Sequence, residues 1–344
     1  MSGKSNSIVN PLALIAAGVG LFYLSKKVRK QSVSLEGQAA LITGGSRGLG
    51  LAIAEELNQH GARLALCARD EQELEQAQDL LSQAGAEVIT IRCDLTDRDQ
   101  VQRMVEQVTS RFGSIDMLVN NAGIISVGPI QTQTVEDFEE SMDNIFWATF
   151  NTTNAVLPQM LQRKSGRIVN ISSIGGMVSV PHLLTYSSAK FAVQGFSEGL
   201  RAELAREGIT VTTVAPGLMR TGSQLNTIMK GSKHRAEYTW FTLMDALPVT
   251  SIAVKRAAKQ IVNAAERGRA LLVITTQAQL LARFHGLFPG LTTNILSIVN
   301  RFLPSGEGAG TSDHLGKESE TPVTQSFLTS AGQRAARTYN EEGL

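Results

Sequence analysis

Ala39-Ala40-Leu41-Ile42-Thr43-Gly44-Gly45-Ser46-Arg47-Gly48-Leu49-Gly50 carries a short apolar run into a glycine-rich turn. From there it passes directly into the helical pattern Leu49–Asn58. An apolar run without alternation suits a strand covered on both faces. Glycine lets the turn bend sharply and approach a ligand, and the helix start that follows favours negative charge. The spacing is T-G-x-x-x-G-x-G, which after a first buried strand points to the pyrophosphate of a dinucleotide.

The same strand-then-helix unit recurs outward from this turn. Strands are expected at Arg63–Ala68, Glu87–Cys93, Ile115–Val119, Arg167–Ile171, Ile209–Val214 and Ala270–Ile274. Between them come a charged helix through Leu81, a helix over Asp97–Arg111, and one or more long helices over Val135–Gln162. Helices over Tyr186–Arg206 and Ile252–Arg267 complete the set. Strict alternation with short buried strands predicts an α/β fold: a Rossmann-type doubly wound parallel sheet of about seven strands with helices on both faces. Ligands of such sheets bind beyond the carboxyl ends of the strands.

The 344 residues include 31 glycines, 42% are apolar and the net charge is +1, enough for one large α/β core. Near-neutral charge without a basic stripe argues against nucleic acid as a partner. Cys67 and Cys93 end strand-like runs and read as reduced core thiols, a disulfide being the alternative. The five histidines share no ligand spacing with each other or with the cysteines, so no metal site is expected.

Ile8–Leu24 is free of charge and is followed by Lys26, Lys27, Arg29 and Lys30. As a helix it would be roughly 25 Å long, short but sufficient to cross a bilayer if the lysines snorkel. A helix lying in the interface, or a cleaved signal peptide, are the other readings. The positive-inside rule puts the main domain of an anchored chain in the cytoplasm, giving a single-pass membrane protein.

Tyr186 and Lys190 are one helical turn apart on the same face. Lowering a phenol from near 10 to about 7 takes roughly 4 kcal/mol. One positive charge at about 5 Å supplies on the order of 3 kcal/mol. An oxidised nicotinamide would be a second positive charge, so the pair asks for that cofactor. At the tip of the second strand, Ala68 stands where an acid would bind a ribose 2′-hydroxyl, and Arg69 follows. Arg69 with Arg47 can clamp a 2′-phosphate, which favours NADP(H) over NAD(H). Asp70 leaves a case for NAD(H).

Together these residues closely resemble the short-chain dehydrogenase/reductase family over roughly Leu35–Ile274. The resemblance implies cofactor contacts at Gly44, Ser46, Arg47, Gly48, Leu49 and Gly50, at Arg69, and at Asp94-Leu95 beside the adenine. It adds Asn121-Ala122-Gly123 of the Asn120–Gly123 motif, Tyr186 and Lys190, and Pro216-Gly217 with Thr221 at the nicotinamide carboxamide. It implies hydride transfer between the nicotinamide and a carbonyl carbon, with Asn144, Ser173, Tyr186 and Lys190 as the catalytic set. Ser173, thirteen residues ahead of Tyr186, is preferred over Ser172. Ser173 would hydrogen-bond the carbonyl oxygen and Tyr186 would act as general acid or base. Lys190 would lower the phenol pKa and bond the nicotinamide ribose. Asn144 would hold a water linking Lys190 to solvent.

Between Thr221 and Thr250 the alternation stops. Met229, Tyr238, Trp240, Phe241 and Met244 there, with Met177, Val178, Leu183 and Leu184 before Tyr186, suggest a lipophilic substrate; the same residues would also pack a lid. Residues 276–303 read as two amphipathic helices broken at Pro289-Gly290. They would cap the substrate entrance, lie on a membrane surface, form a subunit contact or pack on the core. From Pro304 the composition turns polar and a disordered tail is expected. The domain plan is thus an anchor and basic linker over 1–34, a catalytic domain over 35–275, helices over 276–303 and the tail over 304–344. The expected function is a membrane-associated, NADP(H)-dependent oxidoreductase of a lipophilic ketone or aldehyde or the corresponding alcohol, assembled as a homo-oligomer. The alternatives are an NAD-dependent alcohol dehydrogenase of the same family and a non-catalytic NADP(H)-sensing scaffold.

Overall fold

Residues 33–246, 251–326 and 329–342 are described by a computed structural model. In chain order its first half contains β1 (Ala39–Thr43), α1 (Gly48–Gln59), β2 (Arg63–Ala68), α2 (Glu71–Gln83), β3 (Val88–Arg92), α3 (Arg98–Phe112), β4 (Met117–Asn120), β5 (Ser126–Val127), α4 (Val135–Ser141), α5 (Ala148–Arg163) and β6 (Gly166–Ile171). Then follow α6 (Leu184–Leu204), β7 (Ile209–Pro216), β8 (Leu218–Arg220), β9 (Ile228–Lys230), α7 (His234–Ala246), β10 (Ser251–Ala253), α8 (Val254–Glu266), β11 (Leu271–Ile274), α9 (Thr276–Leu287), α10 (Pro289–Asn300), β12 (Asp313–Leu315) and α11 (Ser330–Thr338).

Seven strands form one sheet in the order β11-β7-β6-β4-β1-β2-β3, every pair parallel. The expected doubly wound sheet is therefore present. Its order reverses at β1, which pairs with β2 on one side and β4 on the other, and this reversal opens the crevice where such folds bind ligands.

Alternate side chains of β1 divide the core, as the two-residue period of a strand requires. Ala40 and Ile42 join Leu51, Ile53 and Leu57 of α1 and Ala257, Ala258 and Ile261 of α8. Ala39 and Leu41 join Val101, Met104 and Val108 of α3 and Val156 and Met160 of α5. Each fully buried Leu or Ile contributes about 1.5–3 kcal/mol relative to exposure. Caps fix the helix starts: Asp70 accepts from Glu73 N at 3.0 Å, and Asp97 accepts from Asp99 N and Gln100 N. Asp70 is thus engaged at the start of α2. Cys67 and Cys93 are free, buried thiols rather than a disulfide.

The tail departs from expectation. Beyond Pro304 the chain was expected to be disordered; instead it folds back on the domain. β12 pairs antiparallel with β9, and the Lys230 ammonium joins Asp137 at 2.8 Å and also Asp313. Ala309, Ala336 and Tyr339 are buried. Composition counts apolar residues, and here ion pairs and backbone hydrogen bonds hold most of the segment. The two amphipathic helices form as expected as α9 and α10, with Pro289 at the first turn of α10. Residues 8–24 lie outside the described residues. Among the described residues no helix is long and apolar enough to cross a membrane.

Candidate active site

The cradle at the crevice is built by β1, β4 and the turn between β1 and α1. Thr43 Oγ1 receives hydrogen bonds from Asn121 N at 2.9 Å and Ala122 N at 3.1 Å. Asn121 Nδ2 returns bonds to Thr43 O at 3.1 Å and Gly44 O at 3.0 Å. The loop after β4 therefore clamps the glycine turn across the point of reversal. Gly44 has φ +59°, and a Cβ on it would sit 3.0 Å from Ala122 Cα. Gly50 passes closer still: a Cβ there would fall 2.0 Å from Gly44 O. These glycines allow the close backbone approach that a pyrophosphate needs, so the residues fit a dinucleotide. Deeper in the sheet, Asn120 Nδ2 donates to Asn170 Oδ1 at 2.8 Å, and Asn170 Nδ2 to Ser197 Oγ at 3.0 Å. Thr213 Oγ1 also donates to Ser197 Oγ at 2.7 Å. This buried polar chain ties β4, β6, β7 and α6 together.

Arg47 and Arg69, expected to share one phosphate, have separate partners. Arg47 lies 3.4 Å from Glu73 and 3.8 Å from Glu341. Ser46 Oγ donates to Glu73 Oε2 at 2.8 Å. Arg69 Nη1 reaches Asn144 Oδ1 at 3.4 Å. Further along the crevice, Asp94 Oδ1 accepts from Thr96 N and Oγ1, while Leu95 is buried and its carbonyl accepts from Asn151. Pro216 ends β7, Gly217 N donates to Ile274 O at 3.1 Å, and Thr221 Oγ1 accepts from Ser223 N at 3.0 Å.

Ser173 and Tyr186 converge on Gly175. A Cβ on Gly175 would meet Tyr186 Cε1 at 3.3 Å and Ser173 Oγ at 3.4 Å. Ser173 Oγ accepts from Gly175 N at 3.0 Å, which leaves its own proton to donate. Ser172 is committed elsewhere: its hydroxyl donates to Lys190 O at 3.0 Å. Lys190 Nζ lies 5.7 Å from the Tyr186 ring centroid and donates to Ile171 O at 2.8 Å. A Cβ on Gly123 would stand 3.7 Å from that ammonium. Burial lowers Lys190 to about 8. Before the charge of a nicotinamide is added, burial raises the Tyr186 phenol, and the Ser173 hydroxyl opposes this in part. Burial disfavours the charged phenolate, and the Lys190 ammonium is itself turned to a backbone carbonyl.

Asn144 lies in a π-helical stretch, Met142–Trp147, between α4 and α5, and its Nδ2 donates to Glu140 O at 2.9 Å. The one or more long helices expected over Val135–Gln162 are two, joined by this π-helical stretch at a site residue, a common place for such bulges.

On the substrate side, Met229, Tyr238 and Phe241 are buried in a cluster with Val127, against which Leu183 and Trp240 pack. Buried His182 lies 2.9 Å from both carboxylate oxygens of Glu237, and Trp240 Nε1 donates to Glu237 Oε2 at 2.7 Å. These contacts pin α7 to the loop that leads into Tyr186. Sequence reading missed this pair, Glu73, and the tail residues Asn340 and Glu341. His182 alone left a signal, a histidine four residues ahead of the tyrosine. A cavity of about 620 Å³ between α3 and α5, lined in part by Phe150 and Asn151, includes none of the expected site residues.

A family model described as short chain dehydrogenase matches residues 38–230. The chain is 37% identical over 259 residues to the putative oxidoreductase SadH of Mycobacterium tuberculosis, covering 74% of this chain and 92% of that protein. Among solved structures it is similar to L-sorbose reductase from Gluconobacter frateurii complexed with NADPH and L-sorbose, at 26% identity and TM-score 0.63, over 71% of this chain and 97% of that one. A short chain dehydrogenase/reductase from Burkholderia phymatum in complex with NAD shares the fold at 23% identity and TM-score 0.68, over 75% of this chain and 96% of that one.

Proposed function

The chain belongs to the short chain dehydrogenase family, and from that premise we propose that it is a membrane-associated reductase of lipophilic ketones or aldehydes that uses NADP(H). That it is an oxidoreductase of carbonyl and alcohol groups with a nicotinamide cofactor follows from the family. The observation that carries the catalytic reading is the convergence of Ser173 and Tyr186 beside Lys190 at the end of β6.

When bound, the cofactor supplies the hydride and, once oxidised, a positive charge. The chain's residues do the rest. Ser173, its oxygen already held by Gly175 N–H, would donate its proton to the carbonyl oxygen and stabilise the charge that grows there. Tyr186, whose phenol burial keeps protonated at neutral pH, donates the proton to that oxygen. Lys190, anchored on Ile171 O, is placed to bond the nicotinamide ribose and to oppose the phenolate charge. Asn144 would hold the water that returns protons to Lys190. The glycine turn with Asn121, Ala122 and Gly123 would seat the pyrophosphate and the nicotinamide ribose, and Asp94 and Leu95 would border the adenine. Pro216, Gly217 and Thr221 would hold the carboxamide.

NADP(H) rests on Arg47 and Arg69. NAD(H) is the second reading, favoured by Glu73, which already binds Ser46 and Arg47 and would repel a 2′-phosphate. The apolar side chains Met177, Leu183 and Leu184 ahead of Tyr186, and Trp240 of α7, support a lipophilic substrate. A screen of carbonyl compounds graded by chain length and ring system, run with both coenzymes, tests these points. Turnover should rise with apolar surface, and KM for NADPH should be at least about tenfold below that for NADH, as for one retained charge-assisted contact. Activity confined to small polar carbonyls would overturn the lipophilic reading. A preference for NADH would overturn the NADP(H) reading.

Membrane association is supported by α9 and α10, whose Leu280, Leu287, Leu291, Ile295 and Ile298, followed by Phe302, are exposed at helical spacing. Residues 267–306 carry Arg267, Arg269, Arg283 and Arg301 and no acid, which suits an anionic lipid surface on the cytoplasmic side. Ile295→Asp should therefore reduce cosedimentation with anionic vesicles, and unchanged binding would exclude α10 as the membrane contact. Self-association is supported by exposed Trp147, which packs on Phe146 and Phe150 with Phe196 beside them, and by exposed Phe191. Sedimentation equilibrium giving a monomer would exclude it.

A further inference from the structure

We propose that the cofactor cradle is also the docking site of the chain's own C-terminal segment, so that residues 339–341 and a dinucleotide exclude one another. Three consecutive tail residues engage three consecutive cradle residues. The Tyr339 carbonyl accepts from Gly48 N at 2.8 Å, taking one of the first amides of α1. Asn340 Nδ2 donates to Ser46 O at 3.3 Å and to Glu73 O at 3.2 Å. The Glu341 carboxylate lies 3.8 Å from Arg47 and rests on the α-carbon of Gly48. Asn226 Nδ2 holds this glutamate from the other side, at 2.8 Å from Oε2 and 2.9 Å from its carbonyl oxygen.

A carboxylate beside a guanidinium at a helix start presents the same chemistry as a phosphate oxygen. Glu341 is buried, so this is an enclosed seat rather than a surface contact. Upstream, Ala336 fills the space over Gly222, just past Thr221. The segment thus runs along the cradle from the carboxamide side to the pyrophosphate side.

The tail is tethered but weakly held. β12 fixes residues 313–315 against β9, which keeps the end of the chain near the cradle at an effective concentration on the order of mM. Among the described residues of α11 and beyond, its buried apolar anchors are only small ones and Tyr339. Cofactor would therefore displace it at an apparent affinity reduced by the docked fraction.

The inference rests on the reading that this cradle binds the dinucleotide, and the test separates the two. NADPH is titrated by fluorescence into the full chain, the full-length Glu341→Lys variant and a chain ending at Thr329. The expected result is binding about tenfold tighter in both altered forms, as for a tail docked about nine-tenths of the time. A synthetic peptide of residues 330–344 should then weaken NADPH binding to the shortened chain competitively. Equal or weaker binding by both altered forms would overturn mutual exclusion while leaving the cofactor reading intact. No binding by any form would overturn the cofactor reading and this inference with it.

Discussion

Tyr186→Phe is expected to leave dinucleotide affinity within about twofold and to lower kcat by about 10²–10⁴-fold, the range for losing a general acid. The change removes one hydroxyl and keeps the ring, which packs against Ile145, Ala189 and Val193. Lys190 stays anchored on Ile171 O, and Ser173 stays on Gly175 N. The protein should fold normally and bind cofactor, and lose only the proton donor. Steady-state kinetics beside a fluorescence titration read the two quantities separately. A kcat within a fewfold of the parent would remove Tyr186 from the chemistry.

Gly50→Ala is expected to damage the cradle itself. The new Cβ would lie 2.0 Å from Gly44 O and 2.7 Å from Asn121 Nδ2, and the first of these is backbone. Relief requires moving the turn that Asn121 clamps through Thr43 O and Gly44 O. Overpacking of this kind costs about 1–3 kcal/mol, and the displaced turn should weaken dinucleotide binding at least about tenfold. Gly195→Ala is the control: in α6 a Cβ there meets nothing within 4 Å, so helix propensity should stabilise it by up to about 1 kcal/mol. Urea denaturation with cofactor titration checks both. Parent-like behaviour of Gly50→Ala would contradict the close backbone approach on which the cradle depends.

The seven strands of the main sheet were legible because a parallel sheet covered on both faces writes each strand as a continuous apolar run. β1 and β2 match the expected bounds residue for residue. The strands β5, β8, β9, β10 and β12 were not legible: at two or three residues each they have no period to read. Ser173, Tyr186 and Lys190 are brought together as their spacing implied, because one helix and the loop before it carry all three. The partners of Arg47 and Arg69, Glu73 and Asn144, were not legible, because they come from elements whose approach no local pattern encodes. Burial of the Tyr186 phenol was not legible, because charge spacing is visible in a sequence and desolvation is not. The tail was misjudged for a related reason: Asn340 and Glu341 are polar letters whose partners, Ser46, Arg47 and Asn226, lie far away along the chain.

The most direct test of the central claim, hydride transfer at the Tyr186 site, uses NADPH deuterated at C4 on the transferred face with a carbonyl compound turned over in the screen. Mass spectrometry of the product alcohol should find deuterium on the carbinol carbon with the parent chain, and almost no product with Tyr186→Phe. Alcohol lacking the label, or labelled alcohol formed at the parent rate by Tyr186→Phe, would contradict the account.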